Sequence, residues 1–181
     1  LLASEVHAEL SAPLEEHLGA WDAVDADRAG VDRDVVKANA RVAWVNVNLD
    51  GRTAHFSGQL GVDLGDRTHK TFKRFFPVAP GEVIRLGLES QLDAMAKFPT
   101  LAEEMDLPKA SAASLKRIVA LFEPGRAAIK ARVDAADATT RASIRQAAWR
   151  DGANTLRRAV ETALDDYANK NNLPRGYSAG F

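Results

Sequence analysis

The fold is decided by the stretch from Leu10 to Leu49, which reads LSAPLEEHLGAWDAVDADRAGVDRDVVKANARVAWVNVNL. Apolar residues recur in this stretch with a nearly strict alternation of four and three positions. Nine of the twelve positions that follow the alternation carry an apolar residue larger than alanine. The twelve are Leu10, Leu14, His17, Trp21, Val24, Arg28, Val31, Val35, Ala38, Val42, Val45 and Leu49. This spacing is typical of a heptad seam, the line along which long α-helices pack in coiled coils.

The seam predicts one long helix over about residues 12–49. Ser11 is a suitable N-cap, and Pro13 lies near the first turn, where a missing N–H costs nothing. Gly19 and Gly30 weaken a helix by about 1 kcal/mol each relative to alanine. The apolar spacing nevertheless continues through both glycines, which favours one helix over two.

A second interpretation concerns residues 45–60. The segment Val45–Leu49 alternates apolar and polar residues with a period of two, and Asp50-Gly51 is a strong hairpin signal. A small β-hairpin is therefore the alternative to a helix that ends at Leu49. Both interpretations place a break after Asp50, in a segment that contains four glycines up to position 66.

The rest of the chain predicts several short helices and then a second long helix over residues 126–169. Pro77, Pro99 and Pro124 divide the short helices. The expected apolar row of the second long helix is Ile129, Val133, Ala136, Thr140, Ile144, Ala147, Leu156, Val160, Ala163 or Leu164, and Tyr167. We therefore expect an all-α fold, an elongated helical bundle with a single domain over residues 1–172 and an extended tail over residues 173–181.

Charge is distributed unevenly between the two long helices. Residues 1–34 carry nine acidic and two basic residues, a net charge of −7, whereas residues 115–158 carry ten basic and four acidic residues, a net charge of +6. Opposite charges of this kind select a partner and its direction, while apolar burial supplies most of the energy. We expect the two helices to lie side by side, within one chain or between two copies.

Composition excludes several classes of function. The chain has no cysteine, which excludes disulfides, thiolate metal sites and cysteine nucleophiles. The net charge of −1 disfavours a dedicated nucleic-acid binder. No apolar run is long enough to span a membrane, and Glu5 and Glu9 lie where a signal peptide would be basic. We expect a cytoplasmic protein.

One candidate site lies in and after the glycine-rich segment. His55, Asp63, Asp66 and His69 are the residue types that bind a divalent metal or act as an acid–base pair. Their spacing matches no established metal motif, and the segment lacks the Gly-Lys-Ser/Thr of a phosphate-binding loop. The favoured interpretation is a solvated loop that caps a helix, with no metal and no cofactor. A metal-dependent or acid–base enzyme remains an alternative.

A second candidate is the segment 100–118, which reads TLAEEMDLPKASAASLKRI. It resembles the helix-turn-helix of bacterial regulators through Ala102, Asp106, Leu107 and Leu115. That resemblance implies that Lys109, Ser111, Ser114, Lys116 and Arg117 face DNA. The segment departs from the pattern at Asp106, where glycine is usual, and at Ala112, where a large aliphatic residue is usual.

The remaining candidates are surfaces. Lys70, Lys73 and Arg74 form a basic face that suits an anion, beside three phenylalanines that are expected in the core. Trp21, Arg28, Val35, Val42 and Leu49 are candidate interface residues on the seam. Leu173, Tyr177 and Phe181 are apolar anchors on the tail, which suits docking into a groove.

These observations favour a non-enzymatic structural protein that self-associates through its long helices and its tail. We expect a homo-oligomer or a component of a larger protein assembly. A DNA-binding regulator and an enzyme that uses residues 55–69 are the alternatives.

Overall fold

A computed structural model describes residues 7–174 and 176–180, and within these residues the chain is all-α with no strand. The two long helices predicted from the sequence are present, and short helices lie between them. In chain order the helices are α1 (Ala8–Gly19), α2 (Trp21–Leu64), α3 (Lys70–Phe75), α4 (Pro80–Ile84), α5 (Leu88–Ala94), α6 (Phe98–Glu104), α7 (Lys109–Val119) and α8 (Phe122–Lys170). A 3-10 helix follows at Tyr177–Gly180. None of the described helices is long and apolar enough to cross a membrane.

The first long helix begins at Ala8, before the predicted start, and it also differs from the prediction in its interior and at its end. It is divided at Ala20 into α1 and α2, although the amide of Ala20 still donates to the carbonyl of Glu16 at 3.2 Å. Helix α2 then continues to Leu64, so the break after Asp50 and the hairpin over residues 45–60 are both wrong. The reason is burial: Thr53, Phe56 and Leu60 are completely buried and extend the seam. Core packing outweighs the unfavourable glycines.

The burial pattern of α1 and α2 follows the seam closely. Every one of its twelve predicted positions is buried or half-buried, and Leu49 is completely buried. The four-three spacing thus identified the inward face of both helices correctly.

Helix α8 begins at Phe122, before the predicted boundary, because Pro124 lies in its first turn and interrupts no helical hydrogen bond. The predicted apolar row was wrong in part. Val133 is 53% exposed and Ile144 is 63% exposed. In this part of the helix the buried positions are instead Ala128, Ala135 and Ala142, which recur every seven residues; Leu164 and Ala168 are buried near the end of the helix. We call Ala128, Ala135 and Ala142 the alanine seam; small side chains of this kind allow helices to approach closely.

The chain comprises two compact units. Unit 1 comprises Leu1–Arg33 and Asp137–Phe181, and unit 2 comprises Asp34–Ala136. The large apolar core lies entirely in unit 2. Phe56, Phe75, Phe76 and Phe98 form its centre, with ring centroids between 5.2 and 6.1 Å apart where they pair. The expectation that Phe72, Phe75 and Phe76 belong to the core is confirmed.

Unit 1 is held by aromatic contacts between helices that are distant in sequence. The His17 ring stacks on Trp149 with centroids 4.9 Å apart, and Trp21 packs on the same indole at 4.5 Å. His17 Nε2 donates to the Trp149 carbonyl at 2.8 Å, while Trp149 Nε1 donates to the His17 carbonyl at 3.0 Å. Arg145 pairs with Asp27, so an acidic residue of α2 and a basic residue of α8 meet within one chain, as the charge distribution predicts.

Helix α8 ends at a residue with a left-handed backbone, and the tail beyond it is not extended throughout. Asn172 adopts a positive φ of 52°, and the Leu173 amide donates to the Ala168 carbonyl at 2.9 Å, as in a Schellman motif. Tyr177 then begins the 3-10 helix, and its hydroxyl lies 3.0 Å from Nε2 of the buried His7. Phe181, the third predicted anchor, lies outside the described residues.

Candidate functional site

The predicted acid–base residues do not converge. Asp63 lies at the end of α2 and accepts hydrogen bonds from the Ser111 amide at 3.1 Å, the Ser111 hydroxyl at 2.6 Å and the Gln59 amide at 2.8 Å. The bond from the Ser111 hydroxyl lowers the pKa of this carboxyl and outweighs the opposing effect of desolvation. Because Ser111 lies in the first turn of α7, Asp63 satisfies one of the amide donors at the start of that helix.

Asp66 and His69 also make local contacts. Asp66 accepts bonds from the hydroxyl and the amide of Thr68, and these two bonds lower the pKa of its carboxyl. His69 is the N-cap of α3, where its Nδ1 accepts from the Thr71 amide at 3.2 Å. Within residues 7–174 and 176–180, no three histidine or carboxylate side chains are arranged to hold a metal ion.

The candidate helix-turn-helix segment does form two helices, α6 and α7, but its proposed DNA face is divided. Ser111 is completely buried and Ser114 is 5% exposed, so neither faces outward as the resemblance implied. Lys116 lines a groove that also contains Glu103 and Asp106, whereas Arg117 lines a different pocket. Lys109 is exposed at the start of α7. The basic residues of α7 therefore do not form one continuous surface.

The basic face on α3 is exposed, and one of its three residues forms an ion pair. Lys70 and Lys73 lie on the surface. Arg74 forms an ion pair with Glu104 of α6 at 2.6 Å, which partly neutralises the face.

The candidate interface residues on the seam contact other parts of the same chain. Trp21 packs on Trp149, and Arg28 bonds to Asp32 and to the Ser143 hydroxyl. Leu49 is in the core of unit 2, so it is not available to a second copy. Val35 and Val42 are half-buried. Among the tail residues, Leu173 and Tyr177 are also half-buried, the latter against Tyr167.

An exposed apolar surface lies on the side of α2 opposite the seam, within unit 2. Trp44 is 59% exposed, Val47 is 69% exposed and Val36 is 68% exposed. Ala40 and Ala43 lie between them on the same face and are also exposed. We call these five residues the α2 apolar face; none of them is charged. Sequence reasoning missed it because the strong seam accounted for the helix, although positions 36, 40, 43 and 47 repeat the same four-three spacing.

A small apolar cleft lies beside Trp44. It has a volume of about 200 Å³, and its walls come from α2 and from the first turns of α8. The residues that line it are Arg41, Trp44, Val45, Pro124, Ala127 and Ala128. Apart from the guanidinium of Arg41, the side chains of this cleft present only hydrocarbon or indole surface. A bulky residue and an apolar cleft are thus adjacent on one surface of unit 2.

A basic pocket brings together His55, a predicted acid–base residue, and Arg117, a residue of the predicted DNA face. Arg52 and His55 of α2 meet Ser114 and Arg117 of α7 around a pocket of about 490 Å³, with Gly51 at its edge. Arg52 Nη1 donates to the Arg117 carbonyl at 2.6 Å. That carbonyl lies in the last turn of α7, where carbonyls need external donors. We call these four side chains the basic pocket.

Comparison of the chain with models of protein families, with curated proteins and with solved structures finds no match. Function must therefore be argued from the α2 apolar face and the basic pocket themselves.

Proposed function

We propose that this chain is a non-enzymatic assembly protein that forms a dimer with a second copy of itself through the α2 apolar face. The observation that carries the proposal is the position of Trp44, which projects from unit 2 next to an apolar cleft. The proposal keeps the expected self-association and the expected cytoplasmic location, but it moves the contact from the seam to the other side of α2.

The choice of a second copy as the partner rests on self-complementarity. In a two-fold symmetric dimer, the same surface is used by both copies, so each must present a projection and a recess close together. Trp44 is the projection and the cleft between α2 and α8 is the recess. Each tryptophan would then cover the cleft of the other copy, and the contact would close without exposing a further surface.

The energy of this contact is concentrated in a few residues. Burying the exposed part of one tryptophan contributes roughly 2–4 kcal/mol at about 25 cal/mol per Å² of apolar area. Tryptophan is also enriched among the residues that dominate interface energies. Val36 and Val47 add apolar area on either side of it, and the small Ala40 and Ala43 allow a partner helix to approach closely.

The test is the molecular mass in solution, measured by sedimentation equilibrium over a wide concentration range. We expect the wild-type chain to be a dimer and Val47→Glu to be a monomer, because the new carboxylate would be buried without a partner. Val133→Glu is the matched control, since Val133 is also exposed but lies on α8 outside the cleft. It should leave the dimer intact.

The opposite results would overturn the proposal. A wild-type chain that is monomeric at the highest concentration excludes the dimer. A Val47→Glu variant that dimerises as strongly as Val133→Glu shows that any dimer uses another surface. Circular dichroism of both variants should match the wild type, because both positions are exposed.

A further inference from the structure

We propose that the basic pocket binds a phosphate group carried by a small molecule. Two guanidinium groups, one imidazole and one hydroxyl line this pocket, and no carboxylate is among its lining residues. The two guanidinium charges repel each other, and a bound anion would relieve that repulsion.

The donors of the pocket are available to a ligand. Arg52 uses Nη1 for the Arg117 carbonyl, which holds its guanidinium in place while its other N–H groups make no bond to the described residues. The side chains of His55 and Arg117 likewise make no hydrogen bond or ion pair within residues 7–174 and 176–180. Ser114 is 5% exposed, and its side chain lines the pocket wall.

The chemistry of these donors favours phosphate. A phosphate offers several oxygens to planar guanidinium forks, which bind it through paired N–H···O bonds. A serine hydroxyl supplies one further neutral donor. Arg52 is already fixed by the α7 carbonyl, so less conformational entropy is lost when a ligand binds.

The surroundings favour a small phosphorylated molecule over a nucleic-acid backbone. A backbone needs a run of cations along its path. Lys116, the neighbour of Arg117 in sequence, instead lines the groove that contains Glu103 and Asp106. The pocket volume of about 490 Å³ leaves space for an organic group beyond the phosphate.

The test uses inorganic phosphate and pyrophosphate as probes, with binding measured by isothermal titration calorimetry on the full chain. We expect both probes to bind the wild type, and Arg117→Gln to weaken pyrophosphate binding by about tenfold or more, because one charged donor is lost. The matched control is Lys116→Gln, which removes the same charge from the adjacent position outside the pocket. It should change binding by less than about twofold, as expected for an exposed, screened charge.

A second arm uses a short DNA duplex, with each binding curve measured at two salt concentrations. We expect no binding to the duplex beyond a weak, salt-sensitive interaction that both variants reduce equally. The proposal is overturned if neither phosphate nor pyrophosphate binds the wild type. It is also overturned if the two variants weaken pyrophosphate binding equally, or if the duplex binds more tightly than pyrophosphate and Arg117→Gln selectively abolishes that binding.

Discussion

Unit 2 and unit 1 are both helical, but their interiors differ in kind. Unit 2 buries many large side chains, including four phenylalanines that contact one another. Among the described residues of unit 1, the buried apolar side chains are those of Ala142, Leu164 and Ala168, and the His7 side chain is also buried. Unit 1 is instead rich in ring contacts: His17 stacks on Trp149, and Trp21 packs on the same indole at a tilt. A second group of rings comprises His7, Tyr167 and Tyr177.

This difference shows two ways to hold long helices together. In unit 2, stability comes from apolar area removed from water, which tolerates the loss of any one polar contact. In unit 1, a few directional contacts between half-buried side chains stabilise the helix packing, and the apolar area removed from water is smaller. We therefore expect unit 2 to be the more stable unit and unit 1 to be more sensitive to small geometric changes.

The largest effect should follow Phe98→Ala in unit 2. Phe98 is 2% exposed and contacts three other phenylalanine rings. The free energy of unfolding should fall by about 3–5 kcal/mol, because the substitution leaves a cavity. Urea unfolding followed by circular dichroism measures it. Trp21→Ala in unit 1 should cost less, because Trp21 is only half-buried; an equal or larger loss would contradict the proposed difference between the units.

An intermediate effect should follow Gly152→Ala in unit 1. Alanine normally stabilises a helix interior relative to glycine by about 1 kcal/mol. Here the new Cβ would lie 2.7 Å from His17 Cε1, and the His17 ring is held by Trp149 on one side and by its own hydrogen bond. We expect a net loss of about 1–3 kcal/mol from overpacking.

The control for this prediction is Gly30→Ala, also in unit 1. Its Cβ would meet nothing closer than Arg33 Nη2 at 3.9 Å, so it should stabilise the helix by about 0.5–1 kcal/mol. Fluorescence in a Trp44→Phe background follows the change locally, because the two remaining tryptophans, Trp21 and Trp149, both belong to unit 1. If both alanine variants were stabilised alike, the close packing of His17 on Gly152 would be wrong.

The smallest effect should follow Arg145→Ala, which removes the ion pair with Asp27. Arg145 Nε lies 3.1 Å from the Asp27 carboxylate, but the two side chains are 50% and 40% exposed. Solvent screening limits such a pair to about 0–1 kcal/mol, and added salt should reduce the difference from wild type further. A loss as large as that of Gly152→Ala would mean that charge pairing, rather than aromatic packing, stabilises unit 1.

Much of the fold could be predicted because local spacing determines which face of a helix is buried. The seam from Leu10 to Leu49 identified a buried or half-buried residue at every position. Asn172 adopts a positive φ at the end of α8, a conformation that asparagine tolerates better than most residues. The continuation of α2 beyond Asp50 could not be predicted in this way. Its glycines favour a break locally, and only the distant phenylalanines of the core make a helix more stable there. The alanine seam of α8 was missed because hydrophobicity ranks valine and isoleucine above alanine, whereas close helix packing requires small residues.

The candidate sites were less predictable, because they depend on which helices meet. Arg52 and Arg117 lie 65 positions apart in sequence, and no spacing rule connects them. His55 and Arg117 were both identified as polar candidates, but as members of different sites. A search for a second apolar row on α2 would have found Val36, Ala40, Ala43 and Val47, and with them the neighbouring Trp44.

The division of the chain also has a consequence for the order of folding. Unit 2 is one continuous segment, whereas unit 1 joins two segments that flank it and are separated by about 100 residues. Bringing such distant segments together carries a large loop-closure entropy unless the intervening chain is already compact. During synthesis, unit 2 can therefore fold as soon as residues up to about 136 have emerged. The packing of His17 and Trp21 on Trp149 must wait for the second half of α8. The helices of unit 1 are the last part of the chain to be completed, and in hydrogen exchange they should be the first to open.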